Sequence, residues 1–189
     1  MISLREHLLA FFKTFHRLEL TDSELTRAAV LVPIFEKDRE PHFLLTKRTE
    51  DVEHHKGQIS FPGGTVDSGD RNIIATALRE TEEEIGLASD RIEIVGVFND
   101  ITIPTGFVVT PVVGYLPSLP TLKLSRNEVE SVIEVPFSFF QEPRNKRIVN
   151  MVRAGKPRDV YFFRFEEFEI WGATAFIIDS FLKELPATS

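Results

Sequence analysis

The chain has 189 residues, with 22 Lys and Arg against 29 Asp and Glu, a net charge of −7 and no cysteine. These values exclude disulfides, thiolate metal sites and cysteine nucleophiles, and the acidic balance argues against broad nucleic-acid binding. With 42% hydrophobic residues and 17 Phe, the chain can form one packed domain that buries roughly 70% of its unfolded surface.

The opening stretch, MISLREHLLAFFKTFHR, carries Leu4, Leu8, Leu9, Phe12 and Phe15 at helical spacing, which predicts an amphipathic helix. Arg5, Glu6, His7 and Lys13 interrupt its apolar run, so it does not read as a signal peptide. No run of about 20 apolar residues is available to span a bilayer, and a cytoplasmic protein without membrane partners is expected. Thr26 to Glu36 is apolar and β-branched, a strand, and His42 to Arg48 is its partner across a polar turn. Gln58 to Phe61 forms a short strand ending at Pro62-Gly63-Gly64, and Thr65 to Asp70 a polar loop.

Asn72 to Ile85 has helical periodicity and Gly86 is placed to stop it. Strands follow at Arg91 to Asn99, Thr110 to Leu116 and Val129 to Val135, then a helical turn at Phe137 to Phe140. Arg147 to Val152 and Val160 to Phe168 suggest a closing hairpin, and Trp171 to Leu182 a final helix. Strands interleaved with helices at the start, middle and end define an α/β chain, a mixed sheet covered by helices on both faces.

The middle helix poses the main question, because four glutamates occupy the positions from Glu80 to Glu84. At about 100° per residue, Glu80, Glu83 and Glu84 share one arc, while Ile74, Leu78 and Ile85 lie opposite and Glu82 points away. The three acids repel one another and sit at the wrong end of the helix dipole for anions. A Glu-rich helix is ordinarily a solvated face. Here the orderly apolar face and the nearby Gly63-Gly64 point instead to a divalent cation, since Mg²⁺ combines one or two carboxylates with waters and substrate phosphates. Arg79, four residues before Glu83, is placed to hold that carboxylate.

Arg79-Glu80-Thr81-Glu82-Glu83-Glu84-Ile85-Gly86-Leu87 resembles the second half of the Nudix box, G-x5-E-x7-R-E-U-x-E-E-x-G-U, within a box spanning about 64–87. Thr81 is less apolar than the pattern asks. Counted from Gly64, the acid of the first half is Asp70 in place of Glu, and the gap from there to Arg79 is one residue too long, which weakens any role for Asp70. Upstream, Leu44-Leu45-Thr46-Lys47-Arg48, Gly57 and Phe61-Pro62-Gly63-Gly64 are similar to the signature of the coenzyme A pyrophosphatase branch. Thr49 replaces Ser or Ala there, and Glu53 stands where that pattern has Arg. Ile103 to Phe107, Thr110 to Gly114, Asn127-Glu128-Val129 and Ile170 to Ala175 continue the likeness.

The resemblance implies a Nudix-like α/β/α sandwich with a central mixed sheet over 1–189, with residues 1–26 as a helical extension. It implies metal-dependent hydrolysis of a pyrophosphate bond in coenzyme A or its derivatives, giving adenosine 3′,5′-bisphosphate and 4′-phosphopantetheine or its acyl form. Glu80, Glu83 and Glu84 would bind Mg²⁺ or Mn²⁺, with Arg79 orienting Glu83, and Glu128 would complete the site as ligand or base, ahead of Asp100. Arg48, Gly63 and Gly64 would contact the nucleotide substrate, and Lys56, His54 or His55 could offset the charge reversal at Glu53. Trp171 with Phe162, Phe163, Phe165 and Phe168 reads first as core and second as a stacking platform for adenine. The alternatives are hydrolysis of ADP-ribose, another nucleotide sugar or a nucleoside triphosphate, or a Nudix-like binding domain without catalysis. RNA decapping lacks an obvious basic track. Oligomeric state is not legible.

Overall fold

The computed structural model of the protein describes residues 2–22, 24–50, 57–153 and 156–186. The chain begins with α1 (Leu4–Thr14), β1 (Thr26–Lys37), β2 (Glu40–Arg48), β3 (Ile59–Ser60), β4 (Gly63–Thr65) and α2 (Ile73–Ile85). It continues with β5 (Glu93–Val97), β6 (Ile101–Ile103), β7 (Phe107–Leu116), β8 (Val129–Pro136) and α3 (Phe137–Gln141). The last elements are β9 (Lys146–Arg153), β10 (Lys156–Phe165), β11 (Phe168–Trp171) and α4 (Gly172–Glu184).

Strand β1 organises the main sheet. It runs parallel to β7 from Thr26↔Phe107 to Phe35↔Leu116. Its other edge is shared: Ile34 to Lys37 pair antiparallel with β2, and Ala28 to Val30 pair antiparallel with β4. Beyond the hairpin β2 leaves β1 and pairs with β8 and β3. The sheet is therefore mixed and splayed along β1, and the splay makes room for a site beside β4. Among the described residues no helix is long and apolar enough to cross a membrane.

Alternation along β1 divides the core. Ala29, Leu31 and Phe35 point toward α2 and pack with Ala77, Ile85, Leu87 and Val112. Val32 and Ile34 point the other way, with Leu4 and Leu8 of α1 and Ile177, Ile178 and Phe181 of α4. Helices thus cover both faces, as the sequence predicts. Fully burying each of these Leu and Ile side chains is worth about 1.5–3 kcal/mol. Entry to α1 is fixed by a capping box, in which Ser3 Oγ accepts from the Glu6 N–H and the Glu6 carboxylate accepts from the Ser3 N–H.

Three features depart from the sequence reading. The predicted closing hairpin forms, β9 pairing antiparallel with β10, but it lies in a separate sheet of order β11-β10-β9, which sends Phe163 and Ile170 into the core. The single strand expected over Val160 to Phe168 breaks at Glu166, whose positive φ of 53° lets the chain reverse so that Phe165 pairs with Phe168. The glycines expected to end a strand instead form β4, because Gly63 and Gly64 pair with Val30 and Ala29.

Candidate active site

Helix α2 is set at both ends by its own residues. The Asn72 side chain accepts from the Ala75 N–H at 2.9 Å, and Gly86 closes the helix in the left-handed conformation at φ 66°. Two of the last carbonyls, which a helix leaves unpaired, accept from outside: Glu84 C=O from the Ser125 N–H at 2.8 Å and Ile85 C=O from the Lys123 N–H at 2.9 Å. Thr81, the position less apolar than the pattern asks, is fully buried and its hydroxyl donates to Ala77 C=O at 2.7 Å. Its polar group is thus satisfied inside the helix.

Arg79 is the hub of the acidic face. Its Nη1 donates to Glu80 Oε1 at 2.8 Å and to Glu83 Oε2 at 3.2 Å. Its Nε and Nη2 form a fork onto the two oxygens of Asp70, each at 3.0 Å, and Nη2 also reaches Thr65 C=O. Asp70 accepts further from the Thr76 hydroxyl and the Asp67 N–H. The Arg79 bond, then the Asp67 N–H, hold the Asp70 carboxyl well below the usual carboxylate range. The expectation of a weakened Asp70 is therefore corrected. The loop Asp67-Ser68-Gly69-Asp70 turns on itself, with Gly69 N–H donating to Asp67 Oδ1, and so absorbs the extra residue in the motif count.

Glu84 occupies a different environment, only 2% exposed. Arg48 Nη1 donates to its Oε1 at 3.3 Å, while Glu84 Oε2 and Arg48 Nε are buried with no partner among the described residues. Burial pushes the Glu84 carboxyl up to about 7; Arg48 opposes the rise, Glu128 and Glu80 add to it, and the Gly63 N–H opposes it. Arg48 is aimed by a shift in the β2–β8 register between Lys47 and Arg48, where a bulge re-directs the strand end.

Gly64 brings the backbone of β4 against Glu80. A Cβ there would fall 2.5 Å from the Glu80 carboxyl carbon and 2.6 Å from each of its oxygens. At Gly63 a Cβ would fall 2.3 Å from Ala29 O and 2.6 Å from Val30 Cα, backbone that cannot give way. Both glycines, with Thr65, Arg48 and Phe61, line a cavity of about 870 Å³ whose wall is mostly apolar. Glu80, Glu83 and Glu84 are not among its lining residues.

The candidates come together in part. Glu80 and Glu83 share Arg79, and Glu84 couples electrostatically to Glu80 and Glu128. Glu128 is held beside α2 because Thr49 N–H donates to Glu128 C=O and the Thr49 hydroxyl to Asn127 C=O, both at 3.0 Å. The convergence expected on a helical wheel is incomplete, since the Glu83 side chain is 57% exposed. Among the described residues no group of three or more acidic or histidine side chains can hold a metal ion unaided. The donor set nevertheless fits a hard cation: it is all oxygen, one buried oxygen of Glu84 lacks a partner, and Arg79 leaves Glu80 and Glu83 a second oxygen each. Waters and substrate phosphates would have to complete the shell.

Asp100 and Trp171 also line the cavity, without joining the acidic set. Asp100 is fully committed to structure: it accepts from Thr110 at 2.6 Å, Arg17 at 2.7 Å and the Leu20 N–H at 2.9 Å, and pairs with Arg27 at 3.4 Å. Burial alone would raise its carboxyl, but those hydrogen bonds together hold it below the usual range. Trp171 lines the cavity and stacks on Phe162 at 6.0 Å, whereas Phe163 is core and Phe165 and Phe168 pack against the core. Tyr161, which the sequence did not single out, also lines the cavity. Glu53, His54, His55 and Lys56 lie outside the described residues.

Comparison with known proteins agrees with this architecture. The NUDIX domain family model matches residues 25–147. A protein named Uncharacterized Nudix hydrolase NudL from Photorhabdus laumondii subsp. laumondii is 39% identical over 160 residues, spanning 84% of each chain. A protein of the same name from Citrobacter koseri is 40% identical over 152 residues, 80% of this chain and 79% of its own. Among solved structures, a MutT/nudix family protein from Enterococcus faecalis shares the fold at TM-score 0.52 and 18% identity, spanning 96% of this chain and 69% of its own. The chain belongs to the Nudix family of pyrophosphate hydrolases.

Proposed function

We propose that this Nudix enzyme hydrolyses the pyrophosphate bond of coenzyme A or its derivatives, giving adenosine 3′,5′-bisphosphate and 4′-phosphopantetheine or its acyl form. The observation that carries the reading is Glu84, a carboxylate 2% exposed, gripped by Arg48 and left with an unpartnered oxygen. Burying such a group is costly, and strained carboxylates cluster where their charge is used. It lies against β4, whose glycines line the cavity.

Glu80, Glu83 and Glu84 are assigned as the residues that would hold Mg²⁺ or Mn²⁺. When bound, the ion would neutralise charge on the pyrophosphate and lower the pKa of the attacking water. The chain's own residues prepare that chemistry. Arg79 fixes Glu80 and Glu83, Asp70 fixes Arg79, and Arg48 fixes Glu84. Gly64 leaves space for the Glu80 carboxylate. Glu128 joins the acidic set from outside the helix, as a further ligand or as the base.

The coenzyme A assignment rests on two supports. The residues similar to that branch, Arg48, Phe61, Gly63 and Gly64, form part of the cavity wall, and the cavity's size and apolar lining suit a ligand with a long uncharged arm. Helix α1 and α4 fill one core with strands of both sheets, which supports a single domain, and we read the protein as cytoplasmic. Glu53 favours one rival, an enzyme for ADP-ribose, another nucleotide sugar or a nucleoside triphosphate. A substrate panel with Mg²⁺ tests the choice. Highest kcat/KM on coenzyme A supports the proposal, and turnover confined to ADP-ribose or a triphosphate overturns it.

A further inference from the structure

Among the described residues that line the cavity, the cationic side chains are Arg48 and Arg158. Arg48 stands at the wall built by the main sheet and is committed to Glu84. Arg158 stands at the wall built by the second sheet, on the stretch of β10 that precedes the residues paired with β11. Its backbone is paired opposite Met151 of β9, and its guanidinium makes no hydrogen bond or ion pair with any described residue. The described acids that line the cavity with it are engaged elsewhere: the Asp159 carboxylate accepts from Asn150 at 3.0 Å, and Asp100 is taken up by Arg17, Arg27, Thr110 and Leu20. Among the described residues, the cavity lining therefore carries one guanidinium, exposed and without a side-chain partner, on a wall distinct from the one formed by Gly63 and Gly64.

A guanidinium presents a planar fork of N–H donors that matches a phosphate dianion. A second anionic group on the substrate, separate from the pyrophosphate, satisfies it. We infer that Arg158 is a specificity-determining residue that recognises a phosphomonoester on the substrate away from the cleaved bond, in coenzyme A the 3′-phosphate of the ribose. The inference rests on the coenzyme A reading, because that substrate carries such a group and ADP-ribose does not.

The test separates the two claims. Binding of adenosine 3′,5′-bisphosphate and of adenosine 5′-phosphate is measured calorimetrically for wild type, Arg158→Gln and Arg158→Lys, beside turnover of coenzyme A and dephospho-coenzyme A. Wild type should bind the bisphosphate at least about tenfold more tightly than the monophosphate, Arg158→Gln should abolish the difference and Arg158→Lys keep part of it. In turnover, Arg158→Gln should raise KM about tenfold for coenzyme A, with kcat unchanged, and leave dephospho-coenzyme A unaffected. Equal affinities in wild type, or a preference that survives Arg158→Gln, overturns the role of Arg158 even if coenzyme A is hydrolysed. An Arg158-dependent preference without turnover of coenzyme A upholds the phosphate site and overturns the pyrophosphatase reading.

Discussion

Arg48 and Glu84, 36 positions apart, meet at 3.3 Å, the arginine 25% and the glutamate 3% exposed in their side chains. The pair joins the end of β2 to the buried edge of the acidic helix and leaves one glutamate oxygen unpartnered. Its pH dependence follows. The Glu84 carboxyl is raised from 4.5 to about 7, so the folded state holds its proton more tightly than the unfolded state. The stability that Glu84 contributes is then fully present below about 4.5 and is lost as pH rises through about 7, a change of about 3 kcal/mol at most. Denaturant titration in EDTA should show wild type losing stability relative to Glu84→Gln between pH 5 and pH 8, with saturating Mg²⁺ reducing the loss. An unchanged difference across that range would contradict the buried state of Glu84.

The two adjacent glycines should respond differently to alanine. At Gly63 the new methyl meets backbone of β1, so Gly63→Ala should destabilise the fold by about 2–4 kcal/mol. At Gly64 the nearest atoms are the carboxyl end of the Glu80 side chain, which can turn away by giving up its bond to Arg79. Gly64→Ala should therefore fold with a loss below about 1 kcal/mol while hydrolysis falls about a hundredfold. Thermal melts and kcat on the two variants check this contrast.

Arg79→Lys keeps the charge but loses the fork that spans Asp70, Glu80 and Glu83. An ammonium cannot serve all three, so activity should fall about 10–100-fold and the Mg²⁺ concentration for half-maximal rate should rise. A variant with unchanged metal dependence would assign Arg79 to folding alone.

Asp100 is a structural acid in this account. Asp100→Asn should cost about 2–4 kcal/mol by leaving Arg17 and Arg27 without their buried partner, with kcat at saturating Mg²⁺ within about threefold of wild type. A large fall in kcat with an intact melt would return Asp100 to the candidate site.

Much of this was legible in the sequence because it is local. Asn72, Gly86 and the spacing of Ile74, Leu78 and Ile85 set α2, and the apolar, β-branched run from Thr26 to Glu36 set β1. What stayed hidden depends on partners far along the chain. Nothing in Gly63-Gly64-Thr65 announces a strand, since its pairing is with Ala28 to Val30, and the parallel register of β1 on β7 has no local signature. Counting along the sequence discounts Asp70, whereas the Asp67 turn brings it back to Arg79. The incomplete convergence of Glu80, Glu83 and Glu84 has a similar cause, because a wheel places side-chain origins and Arg79 and Arg48 decide where the carboxylates go.

The most direct test is to incubate the purified protein with coenzyme A and Mg²⁺, beside Glu83→Gln, and to separate the products by chromatography. Metal-dependent release of adenosine 3′,5′-bisphosphate, lost in the variant, is the expected result. No product from coenzyme A, or release that persists in Glu83→Gln or without metal, would contradict it.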